Sequence, residues 1–574
     1  MLERPGCVAA ALLAAASVLP AQSVSQRTGA QALTFFSTVD DSHQPYALYL
    51  PPTFDPSKKY PLVISLHSED STQRLNLRQL FGIAARYGET DPPDLRYFPV
   101  AHPVDFIVAC PAARGAMAYQ GIAEQDVYDM LADVERRFPV DPDRIYLTGI
   151  SMGGGGALWL GLSRPDVWAA IAPLCPIAPP GAWQRAVNAS NLAVRLFQGE
   201  IDPVVAAAKP RSWQRRFLDV GVPADYLEYP GVRHNIWDFA YHNNAIFDWF
   251  SRLRRNRYPP RVRFVTSSYR YSKAYWLVID GLAPGTEASI DAAWNSRTAL
   301  QVETNAIVGF TVTPAQVPAT LVTAVVDGVT LKARPAASLS FTKASGQWRV
   351  GRFVPTGKRP GLEGPIWQAV ASRHIYVYGT AGGPAAEELE RRRQRAATAA
   401  DWSTPRARLD LKLPVKADTA VTPADLDSSD LVLFGEARTN TLIARFTDRL
   451  PLALNPGAAD YGLLFIAPVG KHYALVSSGL PWWTGADEAR PPVGISFAPP
   501  QFRLLQTFGD YILFEGSLAN VVAEGRFDRD WKLPPDAAAK IAATGTVSIR
   551  WVSTPPGLPA PAAKTAPRGN GYLR

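Results

Sequence analysis

The sequence predicts an α/β protein in which a doubly wound, mostly parallel sheet spans residues 30–255. Strand-like and helix-like patterns alternate through this region, which is typical of a sheet covered by helices on both faces. The pattern changes at residues 254–260, which are basic and end in two prolines. Beyond this boundary we predict a small β-sandwich-like domain at 258–350 and a second, smaller α/β unit at 360–552. A chain of 574 residues is too long for one core, so several domains are expected.

The elements of the first domain follow from their apolar periodicity. Short runs rich in β-branched and aromatic residues predict strands at 33–39, 46–50, 60–66, 104–110, 143–148, 168–173, 192–197 and 224–229. Apolar residues at helical spacing predict helices at 120–138, 157–162, 204–220 and 239–253. The first two strands are expected to form an antiparallel pair that opens the sheet.

The two later domains are predicted from shorter patterns. Alternating runs at 261–265, 275–279 and 320–326 indicate strands, and the pairs Asp280-Gly281 and Asp327-Gly328 indicate turns between them. From residue 361 onward, candidate strands lie at 375–378, 430–434, 462–466, 510–515 and 546–550, with helices between them. The last residues, 553–574, are rich in proline and alanine and are predicted to be disordered.

The N-terminus predicts a secretory signal peptide at residues 1–23. Arg4 precedes an apolar run at 7–19, and small residues follow it, so cleavage is expected near Ala21 or Ser23. The run is too short to serve as a stable membrane anchor. The protein is therefore predicted to be secreted or periplasmic.

The net charge of +8 does not indicate a nucleic-acid partner. Part of this charge comes from the arginine-rich run at 391–395, which follows glutamates at 387–390 and predicts a solvated helix with opposed charges. The sequence contains no basic motif interleaved with aromatic residues. No nucleic-acid partner is therefore predicted, and the oligomeric state stays open.

Two cysteines, Cys110 and Cys175, remain after removal of the leader. In an oxidising compartment either a disulfide or two separate buried thiols would fit, and two thiols are the simpler expectation. The sequence has no Cys-x-x-Cys pair and no His-rich cluster, so neither a metal site nor a cofactor is predicted.

The stretch Gly149-Ile-Ser151-Met-Gly153 fits the pattern G-x-S-x-G between a predicted strand and a predicted helix. A nucleophile on such a tight turn needs small neighbours, because a side chain at either glycine would strike the flanking elements. The turn exposes the Ser151 hydroxyl above the sheet edge. It also places the Met152 N–H at a helix start, where it can stabilise an oxyanion.

A serine hydroxyl needs a base within hydrogen-bond reach, and the base needs a carboxylate to orient it. At such an elbow the expected chain order is Ser, acid, His. Two histidines follow Ser151 in this domain: His234 lies in a loop past the last strand, whereas His242 lies inside the predicted closing helix, so we predict His234. Asp202 directly follows a buried strand, at the sheet edge where functional groups gather, and is predicted as the acid. The competing carboxylates are Asp166, Glu200, Asp219 and Asp225, and Asp202 could also cap a helix.

The second oxyanion donor is expected in the loop after the strand that ends at Leu66. The backbone N–H of Ser68 or Glu69 would supply it, and Ser68 is our prediction. His67 precedes the serine and is predicted to be structural. The segment 69–103 is a long insertion that forms either part of a pocket rim or a plain surface excursion.

The motifs at 149–154, 198–205 and 230–235 together resemble the catalytic domain of the prolyl-oligopeptidase family of serine peptidases. They resemble equally the polyhydroxybutyrate-depolymerase and feruloyl-esterase type of secreted α/β-hydrolases. The resemblance covers roughly residues 30–255 and implies an α/β-hydrolase fold with a triad of Ser151, Asp202 and His234. Residues 67–70 depart from the family's His-Gly-Gly-type oxyanion loop, and no β-propeller precedes the domain. The region after residue 360 resembles C-terminal extensions of large secreted bacterial hydrolases.

These observations predict a serine hydrolase, a prolyl-oligopeptidase-like peptidase that cleaves a peptide or ester bond through an acyl-enzyme. The alternative is a carboxylic-ester hydrolase of the feruloyl-esterase or polyhydroxybutyrate-depolymerase type. A third hypothesis, from another class, is a non-catalytic surface or polysaccharide-binding protein on a hydrolase scaffold. Trp482 and Trp483 could then form a sugar platform, although burial in a core is the more common role of such residues.

Overall fold

The computed structural model describes residues 28–69, 71–81, 103–403, 409–486 and 499–553. The predicted signal peptide, the proline-rich tail after residue 553 and most of the insertion at 69–103 lie outside the described residues. Within the described residues, no helix combines the length and apolar character needed to cross a bilayer.

The first sheet has eight strands in the order β1-β2-β4-β3-β5-β6-β7-β8. The strands β1 and β2 form an antiparallel hairpin, β2 is also antiparallel to β4, and every other pairing in the sheet is parallel. The strands are β1 (Gly29–Ser37), β2 (Ser42–Leu50), β3 (Tyr60–Leu66), β4 (Ile107–Pro111), β5 (Val140–Ile150), β6 (Ala170–Leu174), β7 (Ala193–Gly199) and β8 (Ala224–Tyr229).

Helices cover both faces of this sheet, as predicted. They are α1 (Gln73–Phe81), α2 (Ile122–Arg137), α3 (Met152–Ser163), α4 (Ala208–Asp219), α5 (Trp237–Ala240) and α6 (Ala245–Ser251). A 3₁₀ helix at Trp183–Asn191, which the sequence did not predict, joins β6 to β7. The strand β3 is buried along its whole length, which explains its continuous apolar pattern.

Two predicted helices are corrected. The closing helix at 239–253 is broken, because Asn243 and Asn244 adopt positive φ angles of 48° and 61° between α5 and α6. A residue with a positive φ angle cannot continue a right-handed helix. The helix predicted from residue 204 begins at Ala208, because the Asp202 carboxylate holds the N–H groups of Val204 and Val205 in a turn.

The next region contains two five-stranded sheets in the orders β10-β11-β14-β17-β18 and β16-β15-β13-β12-β9. Inward-facing apolar residues of both sheets share one core. The strands are β9 (Arg261–Thr266), β10 (Lys273–Ala274), β11 (Leu277–Leu282), β12 (Ala288–Ser296), β13 (Ala299–Asn305), β14 (Ile307–Val312), β15 (Val322–Val326), β16 (Val329–Ala333), β17 (Leu339–Ala344) and β18 (Gln347–Val350).

The C-terminal region forms a mixed seven-stranded sheet in the order β20-β19-β21-β24-β23-β25-β26, beside a two-stranded sheet of β22 and β27. The strands are β19 (His374–Tyr378), β20 (Val415–Ala417), β21 (Asp430–Phe434), β22 (Leu452–Leu454), β23 (Tyr461–Val469), β24 (His472–Gly479), β25 (Tyr511–Glu515), β26 (Val521–Gly525) and β27 (Val547–Ile549). The helices are α7 (Ala386–Ala400), α8 (Pro423–Ser428) and α9 (Thr441–Phe446), followed by Pro500–Arg503 and Pro535–Ala543. Successive i,i+3 and i,i+4 ion pairs run along α7, as its charge pattern predicted.

One apolar core extends from the first sheet into the C-terminal region. It joins residues of α2 and α3, such as Ile122 and Trp159, to Ile366 and to the interior of the seven-stranded sheet. Arg114 adds a polar link, because it bonds to Asp40 and Asp126 and donates to the carbonyl of Asp410 at 3.0 Å. The hydrolase-like sheet and the C-terminal sheet therefore share an interior.

Candidate active site

Ser151 lies on the sharp turn between β5 and α3. Its backbone has φ 55° and ψ −109°, a region that L-residues rarely occupy and that costs free energy. Backbone hydrogen bonds hold the turn: the Ser151 N–H donates to the Leu174 carbonyl at 2.9 Å, and its carbonyl accepts from Gly155 and Ile177. The serine is 6% exposed.

The two glycines of the motif are required by close backbone contacts. A Cβ at Gly153 would lie 2.2 Å from the Leu66 carbonyl oxygen, and one at Gly149 would lie 2.3 Å from the Gly153 carbonyl oxygen. Neither contact can be relieved without moving backbone. The turn that carries Ser151 therefore packs closely between β3 and α3, as the sequence motif predicts.

Asp202 follows β7 and is held by four donors. Its Oδ1 accepts the N–H groups of Val204 and Val205 at 2.8 and 2.9 Å, and its Oδ2 accepts Gln198 Nε2 at 3.2 Å and His234 Nδ1 at 2.7 Å. Burial raises the pKa of Asp202, but these hydrogen bonds outweigh burial and the pKa is lowered overall. The carboxylate is ionised and fixed in place.

His234 lies in the loop after β8, and its side chain is 23% exposed. Because Nδ1 is bound to Asp202, Nε2 is the ring nitrogen left for a substrate or a nucleophile. Burial lowers the pKa of His234, whereas the bonds to Asp202 and the nearby Cys175 thiol raise it, with a net rise to about 10. The loop is tightly seated, since a Cβ at Gly199 would lie 2.2 Å from the Arg233 carbonyl oxygen.

The parallel strands bring these residues to one edge of the sheet. Ser151 follows β5, Asp202 follows β7 and His234 follows β8, and these strands are close neighbours in the sheet. The structure joins Asp202 and His234 directly. Among the described residues the Ser151 hydroxyl makes no hydrogen bond to His234, and such bonds often tighten only in the substrate complex.

The two predicted oxyanion donors lie beside the elbow. The Met152 N–H belongs to the first turn of α3, where backbone N–H groups lack intrahelical acceptors. Ser68 follows β3, and its carbonyl contacts His67 Nδ1 at 2.7 Å. Burial lowers the pKa of His67, and its ring lies between the Ser68 and Ala112 carbonyls, with Nε2 2.9 Å from the Ala112 oxygen.

The competing candidates lie in other environments. Glu200 accepts the Gly231 N–H at 2.9 Å, Asp225 pairs with Arg195, and Asp166 pairs with Lys273. Asp219 is exposed at the end of α4, and His242 is exposed between α5 and α6. None of these side chains contacts His234 within the described structure.

The sequence reasoning missed Cys175 as a neighbour of the site. Cys175 follows β6, and its Sγ lies with Asp202 and His234 in a group whose ligand atoms are all within 4.8 Å of one another. Such a set could hold a soft metal ion only by displacing the Asp202–His234 bond. Cys110 and Cys175 are both free and buried, which confirms the expectation of two separate thiols.

Comparison with known proteins gives a consistent result. Residues 41–240 match the Esterase family. Cutinase 1 of Thermobifida cellulosilytica is 37% identical over 98 residues, which are 17% of this chain and 36% of the cutinase. A cutinase of Thermobifida fusca (strain YX) is 37% identical over 98 residues, 17% of this chain and 31% of that protein. This chain thus spans about a third of the length of these curated relatives.

Two solved structures are also similar to part of the chain. A thermostable esterase has 23% identity and a TM-score of 0.32, covering 39% of this chain and 63% of that chain. A ferulic acid esterase has 18% identity and a TM-score of 0.32, covering 40% of this chain and 99% of that chain. The family match extends over residues 41–240 and includes the predicted Ser151, Asp202 and His234.

Proposed function

We propose that this protein is a carboxylic-ester hydrolase that acts through an acyl-enzyme on Ser151. The observation that carries the proposal is the 2.7 Å contact between Asp202 Oδ2 and His234 Nδ1, at the same sheet edge as the strained elbow of Ser151. The match of residues 41–240 to the Esterase family favours esters over peptides. The predicted leader at 1–23 would direct the enzyme to a secreted or periplasmic location.

Each side chain has a defined role in this mechanism. His234 Nε2 takes the proton of the Ser151 hydroxyl as the oxygen attacks the ester carbonyl, and Asp202 orients the imidazole and stabilises the imidazolium. The N–H groups of Met152 and Ser68 donate to the oxyanion of the tetrahedral intermediate. His234 then gives the proton to the leaving alcohol, and water hydrolyses the acyl-enzyme by the same steps in reverse order.

Four exposed apolar side chains belong to segments that carry or contact the predicted triad residues, and they favour an apolar acyl group. Ile177, whose N–H bonds to the Ser151 carbonyl, is 46% exposed, and Ile201 and Val204 beside Asp202 are 53% and 59% exposed. Phe239, shortly after His234, is 41% exposed. We call these four residues the apolar rim. Its burial by an acyl chain would contribute to binding in proportion to the area covered.

The test is active-site labelling followed by substrate profiling. A fluorophosphonate probe is expected to label Ser151, and Ser151→Ala is expected to abolish labelling. His234→Ala should lower kcat on p-nitrophenyl esters by at least about 10³-fold. His242→Ala, which removes the other histidine of the same segment, should leave kcat unchanged. A folded protein that never labels would overturn the proposal.

The same assay separates esters from peptides. We expect turnover of p-nitrophenyl esters and little turnover of Pro- and Ala-p-nitroanilides, since the family match is to esterases. Faster cleavage of the anilides would instead support the peptidase that the motifs predicted. Trp482 is fully buried and so forms no exposed sugar platform.

A further inference from the structure

A cavity of about 450 Å³ lies where the hydrolase domain, the two five-stranded sheets and the C-terminal region meet. Its wall includes Trp159 of α3, Arg270 and Tyr271 between β9 and β10, and Trp367 and Arg526 of the C-terminal region. Ser151, Asp202 and His234 do not line it. Trp159 is eight residues beyond Ser151 along α3, a separation of about 12 Å.

The charged groups on the wall are all cations. Among the described residues that line the cavity, the ionisable side chains other than Tyr271 are Arg185, Arg270 and Arg526. Two buried carboxylates, Glu124 and Glu363, lie nearby and bond mainly to other donors, although Glu124 Oε1 has no hydrogen-bond partner among the described residues. Glu124 accepts from the Tyr271 hydroxyl at 2.6 Å and from Trp159 Nε1 at 3.1 Å. Glu363 accepts from the Ser268 hydroxyl and from the N–H groups of Tyr269 and Arg270.

Arg185 is a buried cation on this wall that forms no direct bond to a described carboxylate. It is 7% exposed and forms no ion pair with any carboxylate in the described parts of the chain. Its guanidinium is sandwiched between the rings of Trp159 and Tyr271, at 4.3 and 4.4 Å from their centroids. Of its five N–H donors, one nitrogen bonds to the Ser163 hydroxyl. A buried cation of this kind is costly unless its remaining donors meet an acceptor.

The other two arginines are also available for an anion. Arg270 donates to the Gly121 carbonyl at 3.3 Å and pairs with no carboxylate in the described structure. The Arg526 side chain packs against Gly285 and has neither a hydrogen bond nor an ion pair to a described residue. Guanidinium groups form planar, bidentate pairs with carboxylates, and three of them line this one cavity.

The aromatic lining supplies a second recognition element. Trp367 packs directly on Gly121, where a Cβ would lie 2.6 Å from the indole ring, and it stacks near Trp402. The indole of Trp159 is held by Glu124. Rigid indole faces favour rings that present an apolar face, both aromatic rings and sugars. The cavity volume falls within the range of small-molecule sites.

We propose that this cavity is a second binding site, distinct from the candidate active site, for an organic carboxylate that carries a ring with an apolar face. The carboxylate binds among Arg185, Arg270 and Arg526, and the ring lies against the indole of Trp159 or Trp367. The shared chemistry is a ring-bearing carboxylate, which either an aromatic acid or a uronic acid provides.

The experiment is isothermal titration of the full chain with 4-hydroxybenzoate and with D-glucuronate, and the tighter of the two identifies the source. The uncharged 4-hydroxybenzamide is expected to bind at least tenfold more weakly than 4-hydroxybenzoate. The double variant Arg270→Gln/Arg526→Gln should weaken carboxylate binding at least tenfold. Arg529→Gln, an exposed arginine three residues from Arg526, should leave binding unchanged.

Three outcomes would overturn the proposal. They are failure of both carboxylates to bind, binding that is unchanged in the double variant, and binding of inorganic phosphate as tight as that of the ring-bearing acids. Arg526→Gln alone serves if the double variant misfolds, because the Arg526 side chain forms neither a hydrogen bond nor an ion pair with a described residue. Its binding should still weaken several-fold, and a thermal unfolding scan checks that it is folded.

Discussion

Asp202 determines both the orientation and the proton affinity of His234. The carboxylate is ionised because four donors hold it, and its 2.7 Å bond to Nδ1 favours the imidazolium form of the ring. The pKa of His234 is therefore raised from 6.5 to about 10. The same shift stabilises the folded protein below pH 6.5, and this contribution is lost as the pH rises through about 10.

The raised pKa of His234 predicts an alkaline pH profile. Only the neutral imidazole can accept the Ser151 proton, so kcat/KM should increase with pH between 6.5 and about 10. Asp202→Asn should shift the rise of kcat/KM to lower pH and should lower kcat by roughly 10⁴-fold. The measurement is a pH series on p-nitrophenyl acetate.

Glu200→Gln is the matched control for this profile. Glu200 is exposed and accepts the Gly231 N–H, so its replacement should leave the rise of kcat/KM at the same pH. The prediction would be contradicted if kcat/KM of the wild-type protein had already stopped rising by pH 6.5.

The apolar rim predicts selectivity for longer acyl chains. The double variant Ile177→Ser/Val204→Ser removes apolar area at the site, so the ratio of kcat/KM for p-nitrophenyl octanoate to that for the acetate should fall about tenfold. Val329→Ser removes an exposed valine from β16 and should leave the ratio unchanged. An unchanged ratio in the double variant would show that the acyl chain binds elsewhere.

At the scale of single residues, the sequence predicts those residues whose roles follow from their order along the chain. Ser151, Asp202 and His234 each follow a strand, and the order Ser, acid, His limits the choices. Cys175 could not be predicted, because its position beside His234 depends on β6 lying between β5 and β7 in the sheet. The proximity of Cys175 to His234 follows from the sheet topology, and no local sequence pattern indicates it.

At the scale of elements, periodicity locates strands well and helix interruptions poorly. The strands at 60–66 and 224–229 have the predicted bounds, because uninterrupted apolar or alternating runs end at turn residues. The segment after His234 keeps helical spacing of its apolar residues across the break at Asn243 and Asn244. Two short helices on one face therefore produce the same pattern as one long helix.

Arg114 joins three elements through buried polar bonds and should be a major determinant of stability. Its guanidinium lies 2.6 Å from both Asp40 and Asp126, and the Arg114 and Asp126 side chains are 0% exposed. Arg114→Met leaves these carboxylates buried without a cation, so the free energy of unfolding should fall by about 3–5 kcal/mol. Denaturant titration of the folded protein measures the change.

Arg393→Met provides the comparison for Arg114. Arg393 pairs with Glu390 on α7, but its side chain is 50% exposed, and solvent screens such surface pairs so that they contribute little to stability. Equal effects of the two substitutions would show that the buried network does not stabilise the fold.

At the scale of the whole molecule, the sequence predicts separate folding units but not their shared interior. The change of pattern near residue 260 separates regions that form their own sheets. The contact of Trp367 with Gly121, and the bonds from Arg373 to Thr38 and Asp41, join residues more than 200 positions apart. Such contacts depend on how complete secondary-structure elements pack together, and no local sequence pattern predicts them.

The continuous core predicts that the first sheet and the C-terminal region unfold together. Ile122 and Trp159 belong to an apolar core that also contains residues beyond position 360, so a chain ending at residue 258 would expose part of that core. We expect one cooperative calorimetric transition for the full chain. The shortened chain should unfold at least several degrees lower and bind a dye that recognises exposed apolar surface. A shortened chain with the full chain's Tm and no dye binding would show instead that the first domain folds independently, with the shared core adding nothing to its stability.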